Sequence, residues 1–226
     1  MPSGFLFIHK PSGPTSYGVI HAIKKITGTK KIGHAGTLDP LAEGLLIVGV
    51  GREATKHLGD FLASDKEYIA SIIFGGVSNT YDAEGIVVPT QPLPQPLSKT
   101  QLEETLKTFL GAQQQMPPIF SAKKIKGQKA YDLARQNKPV ELAPVGIEIK
   151  ELELLSYTWP IAQLRIRCSS GTYIRSIAHD LGQKLGAGAY LSGLIRTETK
   201  GIRLDQAVKI ADLNTENWTQ YLIPPR

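Results

Sequence analysis

The apolar residues of this chain switch irregularly between the spacing of a helix and the spacing of a strand. Residues 16–26 carry apolar side chains at helical spacing, whereas apolar and polar side chains alternate in Ile161–Cys168, which predicts a strand with one buried and one basic face. The order of the elements has no regular strand–helix–strand rhythm and no internal repeat, which argues against a doubly wound or repeat fold. The sequence therefore predicts an α+β protein built on a mixed sheet.

Capping signals and the alternation of apolar and polar residues predict the positions of several helices and strands. A helix over Ser16–Ile26 follows the Thr15–Ser16 capping signal and stops at Gly28, and a second helix over Lys99–Phe109 opens with the Ser98–Gln101 capping pattern. Strands are predicted at Phe5–Ile8, Leu45–Val50, Tyr68–Phe74, Val145–Lys150 and Ile161–Cys168. With 226 residues, 41% hydrophobic and 20% charged, the chain is long enough for one large domain.

The charge balance favours a polyanionic partner. The formal net charge is +6 and the isoelectric point is near 9.3. Lysine and arginine side chains that neutralise phosphates release counterions, so nucleic acid is the first candidate and an anionic membrane the second. A basic protein can also be merely soluble, so the charge only supports other observations.

The cysteines and histidines indicate the cellular compartment and whether a disulfide or a metal site is expected. Cys168 is the only cysteine, which excludes an internal disulfide and fits a reducing cytoplasm. The start of the chain lacks a basic region before Phe5–Ile8, and no apolar run approaches the ~20 residues needed to cross a bilayer. The five histidines show neither i, i+4 pairing nor a carboxylate cluster. We therefore predict a cytoplasmic protein without a metal.

The segment Gly33–Gly44 carries the densest chemical signal, because its glycines surround Asp39, which directly precedes a proline, and a second carboxylate, Glu43. Pro40 disfavours the helical conformation for Asp39, and the glycines permit tight turns and the close approach of a ligand. The segment therefore presents Asp39 on an ordered loop. From local chemistry alone, the favoured interpretation of Asp39 is the first residue of a structural Asp-Pro turn.

This segment closely resembles the motif that contains the catalytic aspartate of TruB-type pseudouridine synthases. Further segments resemble other motifs of the family, in the family's order: Lys10–Gly13 with Thr15–Ser16, Asp65–Tyr68, Asn79–Gly85, Gln115–Pro118 with Ser121–Lys124, Gly171–Ser176 with Asp180–Gly182, and Gly188–Leu191 with Arg196–Thr197. Asn79 and Tyr81 depart from the commoner Thr-Asp-Thr pattern. The likeness spans about residues 5–197, and six motifs in order are poorly explained by chance.

The resemblance implies a tRNA pseudouridine synthase that isomerises uridine-55 in the T loop without a cofactor or a metal. It implies a mixed, largely antiparallel central sheet flanked by helices, and a single catalytic domain over residues 1–226 with 201–226 as a short C-terminal extension and no PUA domain. The expected partner is tRNA through its T arm, with no guide RNA, no membrane and a monomeric enzyme.

The resemblance also implies roles for individual residues. It assigns catalysis to Asp39, Tyr68 and Arg175, and substrate binding to His34, Tyr173, Leu194, Lys10, Lys123, Lys124 and Asp82. Asp39 would act as a nucleophile, and Arg175 would pair with Asp39. Tyr68 would stack on the base and assist removal of the C5 proton, with Leu194 as an apolar wall of the pocket. His34 would help to hold the flipped nucleotide.

Four of these residues also have interpretations that need no family. His34 could be a loop histidine whose hydrogen bonds are satisfied within the protein. Tyr68 shares a strand face with apolar residues, so it could be a core aromatic. Arg175 lies in the first turn of a predicted helix, where a cation opposes the helix dipole, which suggests an anionic partner such as Asp39 or a phosphate. Lys123 belongs to a lysine-rich segment that could be a solvated face or an RNA-docking surface.

Other functions stay open at this stage. A guide-RNA-dependent relative would share the catalytic motifs, but it would normally carry a PUA domain and work with protein partners. A non-catalytic RNA-binding module would use Asp39 only as a turn former. A small-molecule enzyme is weakly supported, because neither a phosphate-binding P-loop nor a dinucleotide fingerprint is present.

Overall fold

The computed structural model describes residues 2–92, 94–121, 123–125, 127–136 and 139–225, and it leaves the side chains of residues 124, 125, 129, 131 and 135 undescribed. The helices are α1 (Ser16–Thr27), α2 (Gly51–Lys56), α3 (Leu58–Leu62), α4 (Lys99–Lys107), α5 (Ala130–Arg135) and α6 (Ile174–Lys184). The strands are β1 (Gly4–Lys10), β2 (Ile32–Ala35), β3 (Glu43–Val50), β4 (Lys66–Phe74), β5 (Gly76–Ser78), β6 (Val87–Pro89), β7 (Gly111–Gln115), β8 (Lys124–Ile125), β9 (Gln128–Lys129), β10 (Val145–Thr158), β11 (Ile161–Cys168), β12 (Ala189–Thr199), β13 (Ile202–Arg203) and β14 (Val208–Lys209).

The chain divides into two compact units. The first unit comprises residues 1–69 and 194–226, and the second comprises residues 70–193. Strands β4 and β12 each have residues in both units.

In the first unit, β3 lies among three other strands. It pairs antiparallel with β1 and β2, and parallel with the end of β12 through Ile195 and Arg196. Residues Leu45 to Val48 of β3 are almost completely buried, so both faces of the strand are covered. Burying each such aliphatic side chain contributes about 1.5–3 kcal/mol relative to leaving it exposed, which makes β3 a central element of this unit's core.

Helix α1 covers part of this unit, and its ends follow from local chemistry. The Thr15 hydroxyl accepts a hydrogen bond from the Gly18 amide at 2.9 Å and caps the first turn. Gly28 ends the helix at φ 65°, a left-handed conformation that glycine adopts without penalty. Val19, Ile20 and Ile23 form the buried face. The helix predicted over Ser16–Ile26 is confirmed to within one residue.

In the second unit, β10 and β11 form a long antiparallel hairpin, and β7 pairs with the start of β10. On β11, every second residue from Ala162 to Cys168 is fully buried, as the alternation predicted. Helix α6 buries its apolar stripe, and Gly182 is needed within it because a Cβ there would lie 2.1 Å from the Ala189 amide nitrogen. Helix α4 has the predicted capping box between Ser98 and Gln101 but ends at Lys107, two residues early.

The predicted fold class is confirmed, because the described residues form a large mixed sheet and six α-helices. The strand predicted at Val145–Lys150 continues to Thr158. Irregularities between Ile149 and Glu151 and between Leu154 and Ser156 break the simple alternation that would have revealed it. None of the helices in the described ranges is both long and apolar enough to cross a membrane.

The segment after β12 belongs to the first unit and packs against β1. Strand β14 pairs parallel with β1 at Ile8 and His9, and Phe5 exchanges backbone hydrogen bonds with Ile223. Trp218 is buried in the last 3-10 turn. The outer edge of β1 is therefore covered, which protects a long apolar strand from pairing with other chains.

Candidate active site

The loop that carries Asp39 joins β2 to β3, and we call residues 36–44 the Asp39 loop. Gly36 and Gly44 have φ values of 84° and 107°, which only glycine adopts readily. At Gly44 the chain also approaches β12 closely, since a Cβ would lie 2.4 Å from the carbonyl oxygen of Arg196. Within the loop, the Ala42 amide donates to the Asp39 carbonyl at 3.1 Å. The half-buried Asp39 therefore lies on a tight and well-supported turn.

The start of α1 holds this loop by its backbone. The Ser16 hydroxyl accepts a hydrogen bond from the Leu38 amide at 2.8 Å and lies 3.0 Å from the Leu38 carbonyl oxygen, to which it can donate. The Gly13 amide donates to the Pro40 carbonyl at 2.8 Å. The residues on both sides of Asp39 are thus fixed by the segment that the sequence marked as a separate motif. Ser16 is a functional candidate that the sequence placed in a helix cap and in a family motif, without a role at the Asp39 loop.

Two buried cations support the same loop. The Lys10 ammonium donates to the carbonyl oxygens of Ala42 at 2.5 Å and Pro40 at 3.4 Å. The Arg196 guanidinium donates to the Gly36 carbonyl at 3.1 Å and to the Leu45 carbonyl at 2.7 Å. Both side chains are fully buried. Bonds to a cation are stronger than neutral ones, so these contacts fix the loop at both ends.

His34 lies on β2, just before the loop. Burial lowers the pKa of His34, and the Arg196 guanidinium lowers it further, while a hydrogen bond to the Gly36 backbone opposes both effects. Its buried Nδ1 atom has no hydrogen-bond partner within the described part of the chain. Burial and the neighbouring guanidinium therefore favour the neutral imidazole of His34.

Tyr68 and Leu194 belong to this unit as well. Tyr68 is 8% exposed and lies on the buried face of β4, as its spacing predicted. Leu194, on β12, is similarly buried. Asp39, His34, Lys10, Tyr68 and Leu194 are therefore all residues of the first unit.

Arg175 is the centre of a cluster in the second unit. It lies in the first turn of α6, and its guanidinium donates to the carbonyl oxygens of Thr80 at 3.0 Å and Phe120 at 2.9 Å. The Asp82 carboxylate lies 3.5 Å from the guanidinium and is only 2% exposed. Asp82 also accepts hydrogen bonds from the Thr80 hydroxyl and the Glu84 amide. An acid partner for Arg175 was expected, and Asp82 is one that sequence reasoning did not assign to it.

Tyr173 directly precedes α6 and is hydrogen-bonded to Gln115. The Gln115 side chain donates to the Tyr173 carbonyl at 3.0 Å and accepts from the Tyr173 amide at 2.8 Å. The Ser176 hydroxyl donates to the Met116 carbonyl at 2.7 Å. Two separate sequence motifs are thus joined, and together they fix the start of α6.

An aromatic pair lies one helical turn beyond Arg175. The rings of Tyr81 and His179 stack at 3.8 Å with an interplanar angle of 10°. Tyr81 has φ 66°, a rare conformation for a residue with a side chain. Burial raises the pKa of Tyr81 and lowers that of His179. The turn that carries Asp82 therefore contacts α6 in two ways. The Asp82 carboxylate lies near the Arg175 guanidinium, and the Tyr81 ring stacks on the His179 ring.

Comparison with known proteins identifies the family. A family model described as the N-terminal domain of TruB family pseudouridylate synthases matches residues 24–174. The chain is 48% identical to tRNA pseudouridine synthase B of Protochlamydia amoebophila, over 97% of this chain and 83% of that protein. The chain belongs to the TruB family.

Other TruB relatives and solved structures agree with this assignment. The tRNA pseudouridine synthase B of Bacteroides fragilis (strain ATCC 25285) is 44% identical over 90% of this chain and 89% of its own length. A crystal structure of a Cbf5–Nop10–Gar1 complex matches 92% of the chain with a TM-score of 0.73 and 28% identity. A structure of an H/ACA RNP bound to a substrate RNA matches the same share with a TM-score of 0.69 and 26% identity. The chain spans about half the length of the matched chain in both structures.

The lysines predicted to meet RNA in this TruB protein are only partly described. The Lys123 ammonium donates to the Ala143 carbonyl at 2.9 Å. The Lys124 side chain lies outside the described residues. On the β10–β11 hairpin, Arg165 pairs with Glu153 at 2.5 Å and Arg167 lies opposite Glu151. The face that the sequence predicted to be basic is therefore partly neutralised by acidic residues of the neighbouring strand, which sequence spacing could not reveal.

Proposed function

We propose that this protein converts uridine-55 in the T loop of tRNA to pseudouridine, with Asp39 as the catalytic carboxylate. The observation that carries the proposal is the Asp39 loop, fixed at Leu38, Pro40 and Ala42 by its neighbours in a chain of the TruB family. Such support holds a reactive group in one geometry before the substrate arrives. A residue that merely terminated a turn would not need two buried cations around it.

The reaction is an isomerisation and needs no second reactant. The bond between N1 of uracil and C1′ of the ribose breaks, the base rotates, and a bond forms between C5 and C1′. The proton on C5 leaves, and N1 of the product carries a proton. We assign Asp39 the role of nucleophile in this sequence, with attack on the sugar or on the base as the two possible routes.

The target base is stacked within a folded RNA loop, so it must be extruded before the reaction, at a cost of a few kcal/mol. We assign Tyr68 to stacking on the extruded base and to removal of the C5 proton, and Leu194 to the apolar wall of the pocket. His34 is assigned to holding the flipped nucleotide, and its neutral state suits contact with a base rather than a phosphate.

Arg175 and Tyr173 are assigned to the same reaction. Asp82 and two backbone carbonyls hold the Arg175 guanidinium, so its positive charge is fixed in place for the anionic groups of the reaction. Lys123 and Lys124 are assigned to RNA contact. Lys10, which is fully buried on loop carbonyls, acts by positioning Asp39.

The test of this function uses a full-length tRNA transcript labelled with tritium at uridine C5. The purified protein alone should release the label, and mapping should place the pseudouridine at position 55. Asp39→Asn keeps the size and the turn before Pro40 but removes the charge and the nucleophilic oxygen, so label release should fall below detection while tRNA binding stays equal or rises slightly.

Asp60→Asn, at an exposed position of α3, is the matched control and should behave as the wild type. A well-folded Asp39→Asn protein that still makes pseudouridine would contradict the mechanism. Label release that depends on an added guide RNA would instead favour the second candidate function, a guide-dependent enzyme, which the similarity to the Cbf5 complex brings into consideration.

A further inference from the structure

The first 38 residues of the chain contain five lysines and no acidic residue, and Asp39 is the first carboxylate. Lys10 is buried against the Asp39 loop, but the other four lie on or just after α1. Lys25, Lys30 and Lys31 are exposed, and Lys24 is half-buried. The structure thus concentrates positive charge on one helix and the segment that follows it.

The exposed face of α1 extends from these lysines towards the Asp39 loop. Tyr17, His21 and Lys25 are all exposed and are spaced four residues apart, so they form one stripe along the helix. We call these three residues, together with Lys24, Lys30 and Lys31, the α1 surface. Tyr17 is 71% exposed. It directly follows Ser16, whose hydroxyl binds the backbone of Leu38 next to Asp39. Lys25 lies about 12 Å from Tyr17 along the helix axis, at a rise of ~1.5 Å per residue.

The four lysines of the α1 surface have no acidic partner within the part of the chain that the structure describes. Among the described residues, no carboxylate forms a salt bridge with Lys24, Lys25, Lys30 or Lys31. Glu53 follows soon after Gly51, whose amide binds the Lys31 carbonyl, but it pairs with Lys56 at 2.8 Å. This differs from the β10–β11 hairpin, where Arg165 already has an acidic partner.

We infer that the α1 surface binds the ribose-phosphate backbone of the substrate RNA beside the reacting nucleotide. The inference rests on the proposed function. Unpaired lysines supply the charge that phosphates require, and the exposed Tyr17 ring offers a stacking face at the end nearest Asp39. A strand lying along the stripe would pass directly from the lysines to the Asp39 loop.

A helix-stabilising role is the simpler explanation for part of this pattern. Lys24 and Lys25 are in the last turn of α1, where cations favour the helix dipole. Lys30 and Lys31 lie beyond the C-cap at Gly28, so the dipole does not account for them. Their effect on RNA binding therefore separates the two explanations.

The experiment compares two variants of equal charge. One carries Gln at Lys24, Lys25, Lys30 and Lys31, and the control carries Gln at four exposed lysines elsewhere, Lys56, Lys99, Lys107 and Lys209. Binding of an unmodified tRNA transcript is measured from dilute to physiological salt. The α1 surface variant should bind at least 10-fold more weakly at about 0.1 M salt. The slope of log K against log salt should fall in magnitude by roughly 3, since four phosphate contacts are lost and each contributes about 0.7–0.9.

Equal weakening in both variants would overturn the inference, because net charge alone would then explain the effect. A wild-type slope in the α1 surface variant would overturn it as well. If the melting curve shows that the fourfold variant is unfolded, two other variants replace it: the double variant Lys30→Gln/Lys31→Gln and the single variant Tyr17→Ala. Each should weaken tRNA binding several-fold, whereas Tyr17→Phe should not. Wild-type protein that binds tRNA through this surface but releases no tritium would contradict the proposed function and leave the docking surface standing.

Discussion

At the residue scale, two side chains that were predicted to bind substrate hold other parts of the protein in place. Lys10 and Asp82 were predicted to bind substrate, yet each is buried with its charged atoms on protein groups. Removing one member of a buried, hydrogen-bonded charge pair leaves the other uncompensated, which is costly. The geometry favours positioning roles for both residues, and their contact with substrate stays a prediction.

Tyr68 allows stacking to be separated from proton transfer. Because the residue is 8% exposed on a buried strand face, Tyr68→Phe should keep the fold and the stacking ring but lose the hydroxyl. We expect its rate of pseudouridine formation to fall by about 100-fold or more at saturating tRNA, the typical contribution of a positioned proton-transfer group. Single-turnover tritium release measures this rate. Tyr68→Leu is the comparison, and a Phe variant close to the wild type would show that stacking suffices.

At the element scale, the entry into β3 depends on a glycine. Gly44 has φ 107°, and a Cβ there would lie 2.4 Å from the Arg196 carbonyl oxygen. Gly13 has the same φ of 107° but open space around it, which makes Gly13→Ala a matched control. A positive φ costs a non-glycine residue about 1–3 kcal/mol, so both variants should lose that much stability.

Gly44→Ala should lose at least about 2 kcal/mol more than Gly13→Ala, because backbone atoms must move apart. Urea denaturation at constant temperature measures the free energies of unfolding. Equal losses would mean that β3 and β12 can separate there at little cost.

The elements also show what a sequence can and cannot predict. Helix α1 and strand β11 were predicted because their caps and alternation are local properties of the chain. Strand β12 was missed as an element, since the fully buried Arg196 interrupts its apolar pattern. The Asp39 loop was found from its residues and its family resemblance, but its supports were not. Arg196 reaches Gly36 from 160 residues away, a contact that no local pattern encodes.

For the whole molecule, we expect two half-buried histidines, His34 and His179, to make stability depend on pH. Burial lowers the pKa of His34 and of His179 below the ordinary value of about 6.5. The unfolded chain therefore binds protons more readily than the folded protein, so stability is fully present above pH 6.5 and is lost as the pH falls towards the lowered pKa values. Burial raises the pKa of Asp180 above its ordinary value, and this carboxyl acts in the opposite sense, because its contribution to stability is lost as the pH rises.

The melting temperature should therefore fall by several degrees between pH 7.5 and 5.5, at about 2–4 °C per kcal/mol for a chain of this size. Differential scanning calorimetry of His34→Gln and His179→Gln should show a smaller fall than the wild type. His21→Gln, at an exposed position of α1, is the control. A fall unchanged by the substitution of either half-buried histidine would assign the pH dependence to other groups.

The first unit is assembled from two distant stretches of the chain, which has a consequence for synthesis on the ribosome. The guanidinium that binds Gly36 is translated 160 residues after its partner. At roughly 5–20 residues per second, a nascent chain waits about 8–30 s before this support can form. Residues 70–193 are contiguous and can begin folding within that interval. In a growing polypeptide, residues 70–193 can therefore fold before the Asp39 loop gains its support from Arg196, although the loop is translated first.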